Sequence, residues 1–245
     1  MTSRPAAGGG RWVSVAPERI EGWLRRFAER HGPVEAVLDG DVVRLRAEDG
    51  AVAECHVPFP PLTPAEDVSD DLPSSSAGDV PGGLPASVGD VSGGLLSALA
   101  RHAEKERRVG VLLVRLGGHA AGVFEGERLV VSKVGSRLVH GRSAAGGWSQ
   151  HRFARRREKQ ASEASQAAAD VAVRVLVPHV GTLDAVVLGG DRRAIDALRE
   201  DRRIGAVFAL ETGPFLDVPD PRLAVLQETP ARFRAVRIRV IDPQG

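Results

Sequence analysis

The consecutive runs VGVLLVRLGG (109–118), HAAGVFEG (119–126) and ERLVVSKVGSRLVHG (127–141) decide the fold. The first is almost wholly apolar and rich in Val and Leu, the mark of a strand covered on both faces. Two further strands follow, joined at Glu125-Gly126, where a glycine permits the tight turn of a hairpin. Three antiparallel strands therefore come first. Beyond them the pattern predicts a helix from residue 150, a strand VRVLVPHV (173–180) and a strand DAVVLGG (184–190). A helix DRRAIDALRED (191–201), a strand GAVFALE (205–211), a short helix and a strand FRAVRIRVID (233–242) complete the series. LLSALARHAEKERR (95–108) is a helix in front of it. Antiparallel strands followed by alternating helices and strands make a mixed sheet covered on both faces. The fold class is α/β (α+β), compatible with an RNase H-like three-layer domain over residues 93–245.

Upstream, APERIEGWLRRFAERHG (16–32) places Ile20, Trp23, Leu24 and Phe27 at helical spacing, with Gly32 as the stop. VEAVLDGDVVRLRAEDGAVAECHVPF (34–59) alternates apolar and polar residues around Asp39-Gly40 and Asp49-Gly50, which predicts three short antiparallel strands. Residues 13–58 thus read as a small α+β unit for packing or docking. Residues 59–92 carry six acidic residues, no basic ones, and many Pro, Gly and Ser. Such a segment buries too little apolar surface to offset its ordering entropy, so a disordered linker is expected. Its duplicated heptapeptide, GDVPGGL and GDVSGGL, is too little for a repeat fold.

Composition narrows the function. At 245 residues, 42% hydrophobic and 27% charged, the chain is an ordinary globular protein of one large or two small domains. The single Cys55 excludes an intramolecular disulfide and points to a reducing cytoplasm. No apolar run is long enough to span a bilayer, so no membrane partner is expected. MTSRPAAGGGRW (1–12) lacks the apolar core of a signal peptide and reads as a flexible tail.

The chemistry concentrates in HGRSAAGGWSQHRFARRREKQ (140–160). Ser149 suits a helix N-cap, which starts a helix at Gln150 and carries it towards Ala169. Arg152, Arg155, Arg156 and Lys159 then fall at i, i+3, i+4 and i+7, one cationic stripe. With Arg157 they make five basic residues between 152 and 159, against the single Glu158. Most charge runs are solvated faces. This one is largely uncompensated, and phosphate is its natural partner, because arginine binds phosphate bidentately and counterion release adds affinity. Ahead of the helix, Gly146 and Gly147 let the backbone move or be approached closely. A glutamine has no proton-accepting group of useful pKa, but its amide can orient a water. A catalytic Gln150 therefore implies an already activated substrate such as an ester.

These residues resemble a known loop and helix. His140-Gly141-Arg142, Gly146-Gly147, Ser149, Arg152-Phe153-Ala154-Arg155, Glu158 and Lys159 are similar to the middle domain of eukaryotic and archaeal class I release factors. GGWSQ followed by RFARRRE is closer still to the actinobacterial Vms-like release factors, and the resemblance extends over about 93–241. It implies a peptidyl-tRNA hydrolase that frees nascent peptides from stalled large ribosomal subunits, with a Gly-Gly-Gln loop reaching the peptidyl-tRNA ester. Aligned without gaps, the family glutamine falls on Trp148. A displaced glutamine is the expected form in the Vms-like branch, so the catalytic role goes to Gln150 on Gly146 and Gly147, with Trp148 and Ser149 as loop support. Arg142, Arg152, Arg155, Arg156, Arg157 and Lys159 become the RNA contacts. The implied partners are the large subunit with its peptidyl-tRNA, rRNA and the tRNA acceptor end, met by a monomer without cofactor or metal.

Two other functions compete. One is a non-catalytic tRNA- or rRNA-binding rescue protein. The other is an RNase H-like nuclease, which needs clustered carboxylates for two metal ions. Asp184, Asp191 and Asp196 are the candidates by count, although helix capping explains them equally well. His102, His119 and His179 stand singly, without metal-ligand spacing. Gly189-Gly190 before Asp191 reads as a tight strand-to-helix turn rather than a phosphate site. Arg232, Arg234, Arg237 and Arg239 flank a strand whose Val236, Ile238 and Val240 face inward. Those arginines suit RNA contact or the guarding of an edge strand.

Overall fold

A computed structural model describes residues 3–63, 88–115, 118–136 and 150–243; the side chains of 3, 88–92 and 150–161 lie outside this description. In chain order the elements are β1 (Ser3–Pro5), β2 (Arg11–Val15), α1 (Ile20–His31), β3 (Val34–Asp39), β4 (Val42–Ala47) and β5 (Val52–His56). Then come α2 (Val88–Glu104), β6 (Arg108–Arg115), β7 (Gly118–Glu125), β8 (Arg128–Ser136) and α3 (Gln150–Val175). The series ends with β9 (Ala185–Gly190), α4 (Arg192–Leu198), α5 (Gly205–Phe208), α6 (Leu223–Gln227), α7 (Pro230–Phe233) and β10 (Val236–Ile241). They form two compact units, one of residues 1–105 with 234–245 and the other of residues 106–233.

The first unit is a six-stranded sheet in the order β1-β2-β10-β5-β4-β3, antiparallel throughout. Alternation decides its faces. Val13, Val15, Val43, Leu45, Ala53, Cys55, Val236, Ile238 and Val240 point one way and are buried. Ile20, Leu24 and Phe27 of α1, and Leu99 and Ala103 of α2, close over them in one core. Burial of Cys55 pushes its thiol up to about 12, which leaves it an inert core residue.

The second unit is a four-stranded sheet ordered β8-β7-β6-β9, with β9 parallel to β6 and the other pairs antiparallel. That is the mixed sheet read from the sequence, with its hairpin where Gly126 takes φ 59° between Glu125 and Arg128. Parallel bridges from Val186 to Glu211 and from Gly189 to Leu216 extend the sheet past β9. One face meets α3 and α4 through Leu112, Val114, Ala121, Val123, Ala168, Ala172 and Ile195. On the other, Phe124 meets Phe233 of α7 edge to face at 5.9 Å, and Leu226 of α6 lies over Gly122. Burying each such phenyl ring contributes about 1.5–3 kcal/mol.

Several expectations are corrected. The stretch expected as a tail, 1–12, holds β1 and the start of β2. β10, expected in the larger domain, completes the first sheet between β2 and β5, so its arginines flank an interior strand rather than an edge. α2 likewise packs in the first core, which moves the boundary from 93 to 106. Of the expected linker, Phe59 and Leu62 are buried and α2 begins at Val88, while 64–87 lie outside the described residues. The expected strand 173–180 is the end of α3 and a 3-10 segment, Val177–Thr182. Ala168, Ala169, Ala172, Val175 and Leu176 are buried at helical spacing, and packing on the sheet overrides the β-branched preference for a strand. The expected strand 205–211 is mostly α5, turned by Ile204 and Val207 into the core, and only Glu211 bridges to β9.

At the end of β9 the backbone leaves no room for a side chain. Gly190 takes φ 102°, and a Cβ there would fall 2.1 Å from the Val114 carbonyl oxygen, whereas at Gly205 it would meet open space. Gly190→Ala should therefore cost about 2–4 kcal/mol of stability and Gly205→Ala well under 1. Urea unfolding of the two variants checks this, and equal midpoints would contradict it.

Candidate functional site

The site is framed by two elements of the second unit. β8 ends at Ser136, paired with Gly118 at the start of β7, and α3 begins at Gln150, the residue where the sequence predicts the helix to start. Arg142, Gly146, Gly147, Trp148 and Ser149 lie in 137–149, outside the described residues.

α3 runs for 26 residues, on to Val175 rather than Ala169. At 1.5 Å per residue that is about 39 Å, and Gln150 stands about 27 Å along the axis from Ala168. Its second half is anchored through Ala168, Ala169, Ala172 and Val175, all buried. Small residues on that face let the helix lie close to the sheet. At 100° per residue, positions 152, 155, 156 and 159 fall roughly opposite this packed face, whereas position 157 returns to its meridian. On the outer side Asp170 accepts from Gln166 Nε2 at 3.0 Å and from Arg203 Nη1 at 2.8 Å, and Asp201 holds the same guanidinium. Hydrogen bonding to Arg203 first, then Gln166, keeps the Asp170 carboxyl below the usual carboxylate range.

At the root of the hairpin that leads into 137–149, His119 of β7 lies directly opposite Gly135 of β8. The imidazole occupies the space a side chain would take, because a Cβ at Gly135 would fall 2.2 Å from Nε2. His119 is buried, and burial lowers its pKa from the ordinary 6.5. Read alone, a single histidine gave no sign of this cross-strand fit. The other histidines have structural contacts. His102 Nε2 donates to the Pro58 carbonyl at 2.8 Å, and Arg108 Nη2 lies 3.4 Å from His179 Nδ1.

The carboxylates read as metal candidates are dispersed. Asp184 accepts from the Arg108 amide at 2.7 Å. Asp191 caps α4 by accepting from the Arg193 amide at 2.9 Å, and Asp196 lies 3.4 Å from Arg199 Nε. Gly189-Gly190 is the tight turn into that cap, with the Asp191 amide donating to Val114. Among the described residues no three metal-ligating side chains come together, and no helix is long and apolar enough to cross a membrane.

Comparison with known proteins supplies the class. Residues 107–239, more than half of the chain, match a family of release factors. The chain belongs to the Actinobacteria/chloroflexi VLRF1 release factor family. A search of curated proteins gave no match. Among solved structures, the archaeal translation termination factor aRF1 is 20% identical with TM-score 0.40, covering 52% of this chain and 36% of that one. The chain thus spans about a third of that factor's length. A Vms1 mitochondrial localization core is 8% identical with TM-score 0.36, covering 92% of this chain and 82% of that one. A structure described as an archaeal protein is 16% identical with TM-score 0.32, covering 91% of this chain and 66% of that one.

The buried, neutral His119 has a pH consequence. The unfolded chain takes up a proton near pH 6.5, while the folded imidazole resists it to lower pH. Its contribution is therefore complete above about 6.5 and is lost progressively as the pH falls below that value. His119→Asn should lose less stability than the parent protein between about pH 7.5 and 5.5, measured by urea unfolding. Equal losses would count against a neutral buried imidazole.

Proposed function

We propose that the protein is a peptidyl-tRNA hydrolase that frees nascent peptides from stalled large ribosomal subunits. The observation that carries the reading is the release-factor match over 107–239, which spans both the Gly-Gly segment and the basic half of α3. In this reading Gly146 and Gly147 carry Gln150 to the ester that joins peptide to the tRNA terminal ribose. The Gln150 amide orients a water against the ester carbonyl carbon. The water oxygen bonds to that carbon, the bond to the ribose oxygen breaks, and the water's proton ends on the departing ribose hydroxyl. The ester is reactive and the ribosome supplies the enclosing pocket, so an orienting amide suffices without a side-chain base. Trp148 and Ser149 support the turn, and Arg142, Arg152, Arg155, Arg156, Arg157 and Lys159 hold RNA phosphates, without a metal or cofactor from this chain. The protein acts as a monomer in the cytoplasm.

Release of labelled peptide from isolated peptidyl-tRNA–large-subunit complexes tests the chemistry. Gln150→Ala should slow release by roughly 10²–10³-fold, the usual cost of losing one orienting or oxyanion-stabilising group, with binding to the subunit intact. Trp148→Ala is the control, because the gapless alignment puts the family glutamine there. If Trp148→Ala abolishes release and Gln150→Ala does not, the assignment is wrong. If neither slows release but both weaken binding, the protein is a non-catalytic binder.

The basic stripe makes a separate prediction. Replacing Arg155 and Arg156 with alanine should weaken subunit binding and reduce the slope of log affinity against log salt by roughly 1.5, for two fewer phosphates neutralised. An unchanged slope would return the stripe to a solvated face.

A further inference from the structure

We propose that the outer face of the six-stranded sheet in the first unit is a second RNA-binding surface, one that takes a single-stranded RNA segment by base stacking and phosphate contact. That such RNA is ribosomal rests on the function proposed above; the binding itself does not.

The surface follows from strand register. Arg4, Trp12, Arg239, Glu54 and Arg44 are direct neighbours on β1, β2, β10, β5 and β4, forming one row across the sheet. The next row sets Arg237 of β10 opposite His56 of β5. Their inward alternates are the buried core, so all of these lie on the face opposite α1 and α2. Trp12 and His56 lean together over β10 until their ring centroids are 5.1 Å apart, and the Arg237 guanidinium lies 4.8 Å from the Trp12 ring centroid. His56 and Arg237 are exposed, and Trp12 is half-exposed.

A solvated outer face requires charge but no exposed ring pair. Two aromatic rings with a stacked guanidinium are what an unpaired base needs, since every base has a π-face and arginine planes stack as well as rings do. The charge balance points the same way. Arg44 and Arg239 share Glu54, at 3.6 and 3.4 Å, and Arg239 also donates to the Gly8 carbonyl at 2.7 Å. These two are held in place. Arg4 and Arg237, by contrast, have no carboxylate partner among the described residues, whereas Arg46 stands directly opposite Glu35 of β3. Two uncompensated guanidiniums, Arg4 and Arg237, beside an aromatic pair complement an anionic backbone carrying planar groups. Desolvation first, and then Arg237, lower the His56 pKa below the ordinary 6.5, so at neutral pH the ring stacks rather than adding charge. A duplex would keep its bases paired and out of reach of these rings, which favours a single strand.

The test uses the full-length protein and an oligouridylate of about ten nucleotides carrying 4-thiouridine, with photo-crosslinked peptides mapped and affinity followed by fluorescence anisotropy. Crosslinks should map to β2, β5 and β10. Arg237→Glu and Trp12→Ala should each weaken binding about ten-fold or more, in line with the loss of one stacked base. Arg237 is exposed, so Arg237→Glu keeps the test valid even where Trp12→Ala lowers the unfolding temperature. Crosslinks confined to 140–160, no binding of the oligonucleotide, or wild-type affinity in a folded Arg237→Glu protein would each overturn the proposal. Gln150→Ala separates the two readings: it should retain the sheet crosslinks whether or not it slows peptide release.

Discussion

The pairing of β10 with β2 and β5 is the constraint on which the rest depends. Without it β2 and β5 would each expose a row of unpaired amides and carbonyls in the middle of a sheet, and the core over Val236, Ile238 and Val240 would be open. The contact joins residues more than 180 positions apart in sequence. Loop-closure entropy grows only logarithmically with length, so the separation adds little cost once the intervening residues fold by themselves. They do have their own core, centred on Leu112, Val123, Ala172, Leu188 and Ile204. In sequence, the release-factor domain is thus an insertion into a smaller α+β unit rather than its successor.

A net charge of +1 conceals how the charges are distributed. Residues 59–92 carry six of the 32 acidic residues and no basic ones, and several carboxylates elsewhere are tied to particular arginines, as Asp170 and Asp201 are to Arg203. Two local positive groupings stand out: a run of basic positions on α3, and Arg4 and Arg237 on the outer face of the first sheet. Long-range steering by total charge is small for such a molecule. Phosphate contact at short range is where arginine contributes most.

Much of this architecture was legible because local signals and packing agreed. The Glu125-Gly126 turn and the alternation of Val236, Ile238 and Val240 each have one reading, and the structure keeps it. Failures occurred where the deciding partner was remote. RWVSV (11–15) has too few residues to announce a strand, and without β2 the sequence offers β10 only the nearer sheet. VRVLV (173–177) carries strand-like composition, yet its burial follows the helical period set by α3 on the sheet. The site divides similarly. Of the contiguous motif 140–160, the start of α3 at Gln150 follows directly from local signals. The contact of His119 with Gly135, and the meeting of Trp12, His56 and Arg237, arise only from register between strands and leave no linear trace.

The insertion also sets the order in which the protein can be made. Residues 106–233, 128 in number, separate α2 from β10, and at about 5–20 residues per second a ribosome takes roughly 6–25 s to add them. Throughout that interval the first unit has β1–β2 and β3–β4–β5 but lacks the strand that joins them, so two bare edges wait side by side. The inserted domain has time to fold first, since a domain of its size commonly folds within seconds. The sheet bearing the N-terminus is therefore completed after the domain that follows it, and until then its exposed edges are open to pairing with another chain.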